Sequence, residues 1–175
     1  MRTNKASASE KYGAKTVADH AIARGVLAEP SVAYQVRART EPAIVASLLN
    51  QADIVSDMAM VKLIHQRIPL EVLDRLAEQG VTKQELNLVA PARTLAHRRA
   101  NAEPLTIEES DRAVRLARVL AQAEVVFGAA EKAMTWLRHP LKRFEGNTPL
   151  AMLATDIGSR LVEEALVQID EGFYA

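Results

Sequence analysis

An all-helical fold is the prediction for this chain, and three observations make it. Aromatics are only 4% of the 175 residues, while 49% are hydrophobic and 25% charged. Ala, Leu, Val and charged residues dominate, a balance that favours helices over sheets. Apolar positions recur at helical spacing, and no stretch carries strand alternation. Two Thr-x-x-Glu sequences, Thr82–Glu85 and Thr106–Glu109, have the form of the capping box that opens a helix.

The elements follow in order. Residues 1–40 are rich in Ala, Ser and Lys, with scattered breakers at Gly13, Gly25 and Pro30. They read as a poorly ordered arm holding at most one short helix. From Glu41 the pattern becomes helical. Ile44, Leu48 and Leu49 give one apolar stripe; Ile54, Met58, Val61, Leu63 and Ile64 give another. Pro69 suits a first helical turn and Gly80 the left-handed position just past the end, with Leu70, Leu73, Leu76 and Ala77 inward. Thr82 opens a second short helix, with Leu86 and Val89 inside, and Pro91 opens a third from Ala92 to Ala100.

After a break at 101–104, a long helix runs to Phe127 and stops at Gly128. Ala113, Leu116, Ala117, Leu120, Ala123 and Phe127 share one face. Asp111, Arg115, Arg118 and Gln122 share another, with Asp111 and Arg115 spaced for an ion pair. Glu131–Leu137 is a further helix, with Trp136 in the core, and 139–147 is a loop. Thr148-Pro149 caps the last region, which Gly158 kinks or splits; Leu161, Val162, Ala165, Leu166 and Ile169 form its buried stripe. The organisation expected is an arm (1–40), a helix-turn-helix module (41–104) and a helical domain (105–175).

Composition narrows the function. Lys and Arg number 22, as do Asp and Glu, so the formal net charge is zero. Nucleic-acid binding would need a local basic patch rather than a global field. The absence of cysteine excludes disulfides, a Cys-ligated zinc and a thiol nucleophile. No stretch approaches the roughly 18 unbroken apolar residues of a membrane span, and the N-terminus lacks the apolar core of a secretory signal. A cytoplasmic protein is expected. His20, His65, His97 and His139 lie far apart without ligand-spaced partners, so no metal is expected. Glu108-Glu109 and Glu163-Glu164 fit capping and solvated faces. No Gly-rich phosphate loop is present, and nothing points to an enzyme or a cofactor.

Two constellations could carry function. In the first, a tight turn joins two short helices, the second basic. With Leu95 facing the core, helical geometry puts Arg93 and His97 on the opposite face, with Thr94 beside them, aimed at base edges. Arg98 and Arg99 near the helix end suit phosphates, and Lys83 and Gln84 could meet the backbone too. The same basic run also fits a merely solvated face, and Ala90-Pro91 stands where many such turns carry glycine. The second constellation is the segment Asp170-Glu-Gly-Phe-Tyr174, aromatics among carboxylates. It can enter a pocket built for an anionic ligand, or fold back on its own domain.

Several runs resemble one family. Thr94-Leu-Ala-His-Arg98 resembles a Thr-Leu-x-x-Arg recognition helix, and Leu105-Thr-Ile-Glu-Glu-Ser-Asp-Arg112 a Leu-(Ser/Thr)-x-x-Glu-Ser-Asp-Arg linker helix. Val126-Phe-Gly128, Ala133-x-x-Trp-Leu137, Asn147-Thr-Pro-Leu150 with Thr155 and Gly158, Val162-Glu-x-x-Leu166 and Gly172-Phe-Tyr-Ala175 continue the match. From about Met58 onward, about two-thirds of the chain is similar to the Xre-MbcA-ParS antitoxins of bacterial RES-domain toxin systems.

That resemblance implies a Cro-like helix-turn-helix module, then a domain that dimerises and binds a RES toxin. Such toxins resemble ADP-ribosyltransferases and consume NAD. It further implies that Gly172, Phe173 and Tyr174 sit at the toxin's NAD cleft, with Arg160, Glu163, Glu164 and Gln168 at its rim. Arg93, Thr94, His97 and Arg98 would read the operator of the toxin–antitoxin genes. The alternatives are a helix-turn-helix regulator without a toxin and a protein–protein adaptor that has left DNA.

Overall fold

The computed structural model describes residues 40–51 and 56–173. The expected arm therefore lies, but for Thr40, outside the described residues, as do Ile54 and Tyr174. Among the described residues every regular element is a helix, as the composition predicts.

The first helices each carry a recognisable start or stop. Helix α1 spans Glu41–Leu49, with Pro42 in its first turn and Asn50 left-handed at its end; it buries Ile44, Val45, Leu48 and Leu49. Helix α2 spans Asp57–His65, and the Ser56 hydroxyl accepts the Ala59 N–H at its start. Only Leu63 of its expected stripe is buried. Met58 and Val61 are 63% and 44% exposed, so that stripe is corrected: half of it faces outward. Helix α3 spans Glu71–Glu78 and buries Val72, Leu73 and Leu76. Leu70, just before it, is also buried. Ala77, expected inside, is exposed and lines a groove between α3 and the helix that follows the turn.

The Thr82–Glu85 box forms in both directions, at 2.7 and 3.2 Å. It opens only a 3₁₀ turn, Glu85–Leu88. The residue before a proline is driven out of the helical region, so Ala90-Pro91 leaves no length for an α-helix. Helix α4, Ala92–Ala100, follows.

Helix α5, Ile107–Phe127, is the spine. The reciprocal Thr106–Glu109 capping box starts it and left-handed Gly128 stops it. Such a cap contributes about 1 kcal/mol. Ala113, Leu116, Ala117, Leu120 and Ala123 are buried as expected, joined by Val114, Val119 and Ala121. Burial on several sides goes with several neighbours: α5 packs against α1, α2, α6 and α8, and its polar residues Asp111, Arg115, Arg118 and Gln122 stay half-buried. Helix α6 is Ala130–Leu137. Trp136 at its end meets Phe127 at 5.5 Å between ring centroids, closing the turn between α5 and α6. The loop that follows folds a 3₁₀ turn, Lys142–Phe144, around buried Phe144.

Helix α7, Pro149–Met152, and helix α8, Asp156–Asp170, complete the chain, capped by Thr148 and Thr155. Gly158 does not kink α8; it lies in its first turn. A Cβ there would stand 2.1 Å from the Met152 carbonyl oxygen. The glycine is what lets α7 and α8 approach. The parts expected on either side of residue 104 share one core, from Ile44 to Leu166.

Candidate functional site

Two surfaces stand at opposite ends of the sequence pattern, and α5 contributes to the packing of both. The first is the turn and α4. Asn87 Oδ1 accepts the Ala92 N–H at 3.0 Å, doing at this tight turn the capping that Pro91 lacks a hydroxyl to perform. Arg112, from α5, donates to the Val89 carbonyl at 2.9 Å and satisfies the end of the 3₁₀ turn. Arg93 and His97 are exposed on α4, Thr94 is half-buried beside them, and Lys83 and Gln84 are exposed on the preceding turn. His97 lies within hydrogen-bond distance of Asn101 Nδ2, 3.1 Å from Nε2. Arg99 is exposed and paired with Asp74 at 2.6 Å.

Arg98 is different. Its side chain is 14% exposed and turned inward onto buried Glu109, Nε lying 2.8 Å from Oε2. Nη2 donates to Oε1 at 3.3 Å, and Nη1 reaches Glu103 Oε2 at 3.3 Å and the Pro104 carbonyl at 3.4 Å. Nη1 and Nη2 are thus engaged within the chain, while the buried Nε lies beside Glu109 Oε2 without a hydrogen bond of its own.

The second surface is the outer side of α8. Ile157, Arg160, Leu161, Glu164, Val167 and Gln168 are exposed along one stripe. Ile157 is 66%, Leu161 41% and Val167 45% exposed. Leu161 was expected in the buried stripe. The observed inner face is Gly158, Ser159, Val162, Ala165 and Leu166, and Leu161 precedes Val162 by a hundred degrees of helical turn. Ile157 stands four residues before Leu161, one turn along the same side, and Val167 lies at the edge of that exposed face.

Arg160 pairs loosely with Asp156, at 3.7 Å. Glu163 faces the other way: its carboxylate lies 3.7 Å from Arg118 of α5, and its carbonyl accepts from Gln122. Gln168 accepts from Arg143 at 2.9 Å.

Helix α8 ends in a left-handed glycine. Gly172 has φ +77°. Its N–H donates to the Ile169 carbonyl at 3.1 Å, and the Phe173 N–H donates to the Gln168 carbonyl at 2.9 Å. These are the paired bonds of a Schellman motif. They fix the direction in which the chain leaves the helix, and Phe173 is left 74% exposed. Phe173 is not folded back on its own domain.

Among the described residues no group of three or more His, Asp or Glu side chains is arranged to hold a metal, and no helix is long and apolar enough to cross a membrane.

Comparison with known proteins covers the stretches of sequence that contain the turn with α4 and α8. Residues 59–118 match the antitoxin Xre-like helix-turn-helix domain, and residues 122–172 match the antitoxin Xre/MbcA/ParS C-terminal toxin-binding domain. Three residues of α5, 119–121, separate the two matches. Antitoxin Xre of Pseudomonas putida is 40% identical over 156 residues, 89% of this chain and 94% of that protein. The Prs ADP-ribosylating antitoxin of a Sphingobium species is 35% identical over 107 residues, 56% of this chain and 66% of that protein. Antitoxin Xre of Yersinia enterocolitica is 33% identical over 86 residues, 49% of this chain and 58% of that protein.

Proposed function

The chain belongs to the Xre/MbcA/ParS antitoxin family, and from that membership we propose that it neutralises a RES-domain toxin by covering the toxin's NAD cleft. The carrying observation is the exposed apolar stripe Ile157, Leu161 and Val167, which leads to exposed Phe173. Exposed apolar side chains grouped on one face favour a partner, and a projecting aromatic suits a pocket at the centre of an interface.

The occupant of that pocket would be the Gly172–Phe173–Tyr174 segment. Arg160, Glu164 and Gln168 would meet the cleft rim, with Glu163 supporting them from the α5 side. Asp170 and Glu171 are exposed beside Phe173. Their carboxylates would engage the cationic groups that a dinucleotide pyrophosphate requires. The relative named for ADP-ribosylation supports a toxin with that chemistry. Such a plug works by occupancy and requires no catalytic group of its own.

The helix-turn-helix would bind the operator of the same genes. Arg93, Thr94 and His97 would face base edges, and Lys83, Gln84 and Arg99 would face phosphates. A homodimer would place two such helices on two half-sites, multiplying a modest single-site affinity.

Growth rescue tests the reading. The neighbouring open reading frame is expressed alone, with the full chain, and with Leu161→Asp/Val167→Asp. Toxicity, rescue by the full chain and failure of the double variant are expected. A neighbour that is harmless alone contradicts the toxin partner and favours a plain regulator.

A further inference from the structure

Helix α4 has no buried residue. Leu95 is only half-buried, and a groove of about 560 Å³ separates α4 from α3, lined by Leu70, Leu73, Leu86 and Leu95. Apolar packing therefore does little to fix how this helix stands. The bonds that tie it to the spine are polar, and they converge on Arg98 and Glu109.

Glu109 faces two ways. Its Oε2 accepts the Thr106 N–H at 2.8 Å, which closes the cap of α5. The same carboxylate receives Arg98 from α4, at 2.8 Å to Nε and 3.3 Å to Nη2. Both side chains are nearly enclosed, 14% and 9% exposed. Around them, Arg67 donates to the Leu105 carbonyl at 3.0 Å, and Ser110 Oγ accepts the Ile68 N–H at 2.9 Å. The start of α5 is thus held from both sides, and Arg98 hangs α4 on it.

We propose that Arg98 is a positioning residue: clamped on Glu109, it sets the stance of α4 against α5 and does not itself touch DNA. The inference rests on the DNA-reading role of α4 proposed above. It turns the Thr94-Leu-x-x-Arg98 and Glu109-Ser-Asp-Arg112 runs into two halves of one joint, since Arg112 secures the turn before α4 as Arg98 secures its end.

A charge that contacts phosphate and a charge that positions a helix differ in salt dependence. Losing a phosphate contact lowers the slope of log affinity against log salt by about 1; losing a strut lowers affinity and leaves the slope alone. The measurement is fluorescence anisotropy of the full chain on a labelled duplex carrying the DNA upstream of its own gene. Variants are Arg93→Ala, Arg98→Ala, Glu109→Gln and the Arg98→Ala/Glu109→Gln double, each checked for native helicity.

Arg93→Ala should weaken binding and relax the preference for that duplex over one of scrambled sequence. Arg98→Ala and Glu109→Gln should each weaken binding roughly tenfold with the slope unchanged, and the double should lose no more than either single. Glu109→Gln should still rescue growth, because the α8 surface is untouched. A lowered slope for Arg98→Ala with Glu109→Gln binding normally overturns the proposal and makes Arg98 a phosphate contact. If Arg93→Ala binds like the parent while the clamp variants do not, the base-reading face is wrong and the clamp stands. If none of the variants changes binding, both fall.

Discussion

Arg138 grips Glu85 across the fold. Its Nε lies 2.7 Å from Oε1 and its Nη2 2.8 Å from Oε2, and Nη2 also donates to the Gly80 carbonyl. The residue that ends α6 thereby steadies the capping box that opens the helix-turn-helix. A two-point pair of this kind is directional as well as attractive.

The pair predicts a pH dependence. Hydrogen bonding from Arg138, against a smaller burial cost, holds the Glu85 carboxyl below the ordinary carboxylate range. A depressed carboxylate stabilises the fold above its unfolded-state pKa and loses that contribution as pH falls through its lowered value. Glu85→Gln should cost about 1 kcal/mol at pH 7, discounted for partial exposure, and the gap should narrow progressively from about pH 4 downward. Urea unfolding at neutral pH and over that acid range checks this. Burial raises Glu41 in the opposite direction, so the comparison between parent and variant is the informative quantity. A gap that persists undiminished in acid would assign the loss to something other than charge.

Gly158→Ala should be costly although alanine is the better helix former. The new methyl would meet Met152 backbone oxygen at 2.1 Å and Met152 carbonyl carbon at 2.9 Å, and backbone cannot swing aside. A loss of about 2 kcal/mol or more is expected, read as a lowered thermal midpoint. An unchanged midpoint would mean that α7 yields freely.

Leu161→Asp should leave unfolding within about 0.5 kcal/mol of the parent, because Leu161 already faces outward. It should weaken toxin capture at least roughly tenfold. Purified toxin with immobilised parent and variant decides it. A variant that is destabilised but binds normally would return Leu161 to the core.

Much of this fold was legible because its punctuation is local. Thr106, Glu109, Gly128, Thr148 and Gly80 act within one turn of themselves, and each does in the structure what its type predicts. What was not legible depends on neighbours far along the chain. Nothing near Arg98 announces that Glu109 will reach it, and a basic residue on a short helix reads as solvated or DNA-facing until its partner is known. Leu161 and Met58 were misplaced for the same reason: an apolar residue on a helix reads as buried unless something says that its side has no neighbour. The Gly172–Phe173 exit was visible as a helix stop followed by an aromatic, and the Schellman bonds supply the direction the sequence could not.

The plug itself is tested most directly by following NAD consumption by the purified toxin as it is titrated with the full chain and with a chain ending at Glu171. The full chain should abolish turnover at stoichiometric ratio, while the shortened chain should still bind through α8 and leave most NAD consumption running. Equal inhibition by both would contradict it, and would place neutralisation on the helical stripe alone.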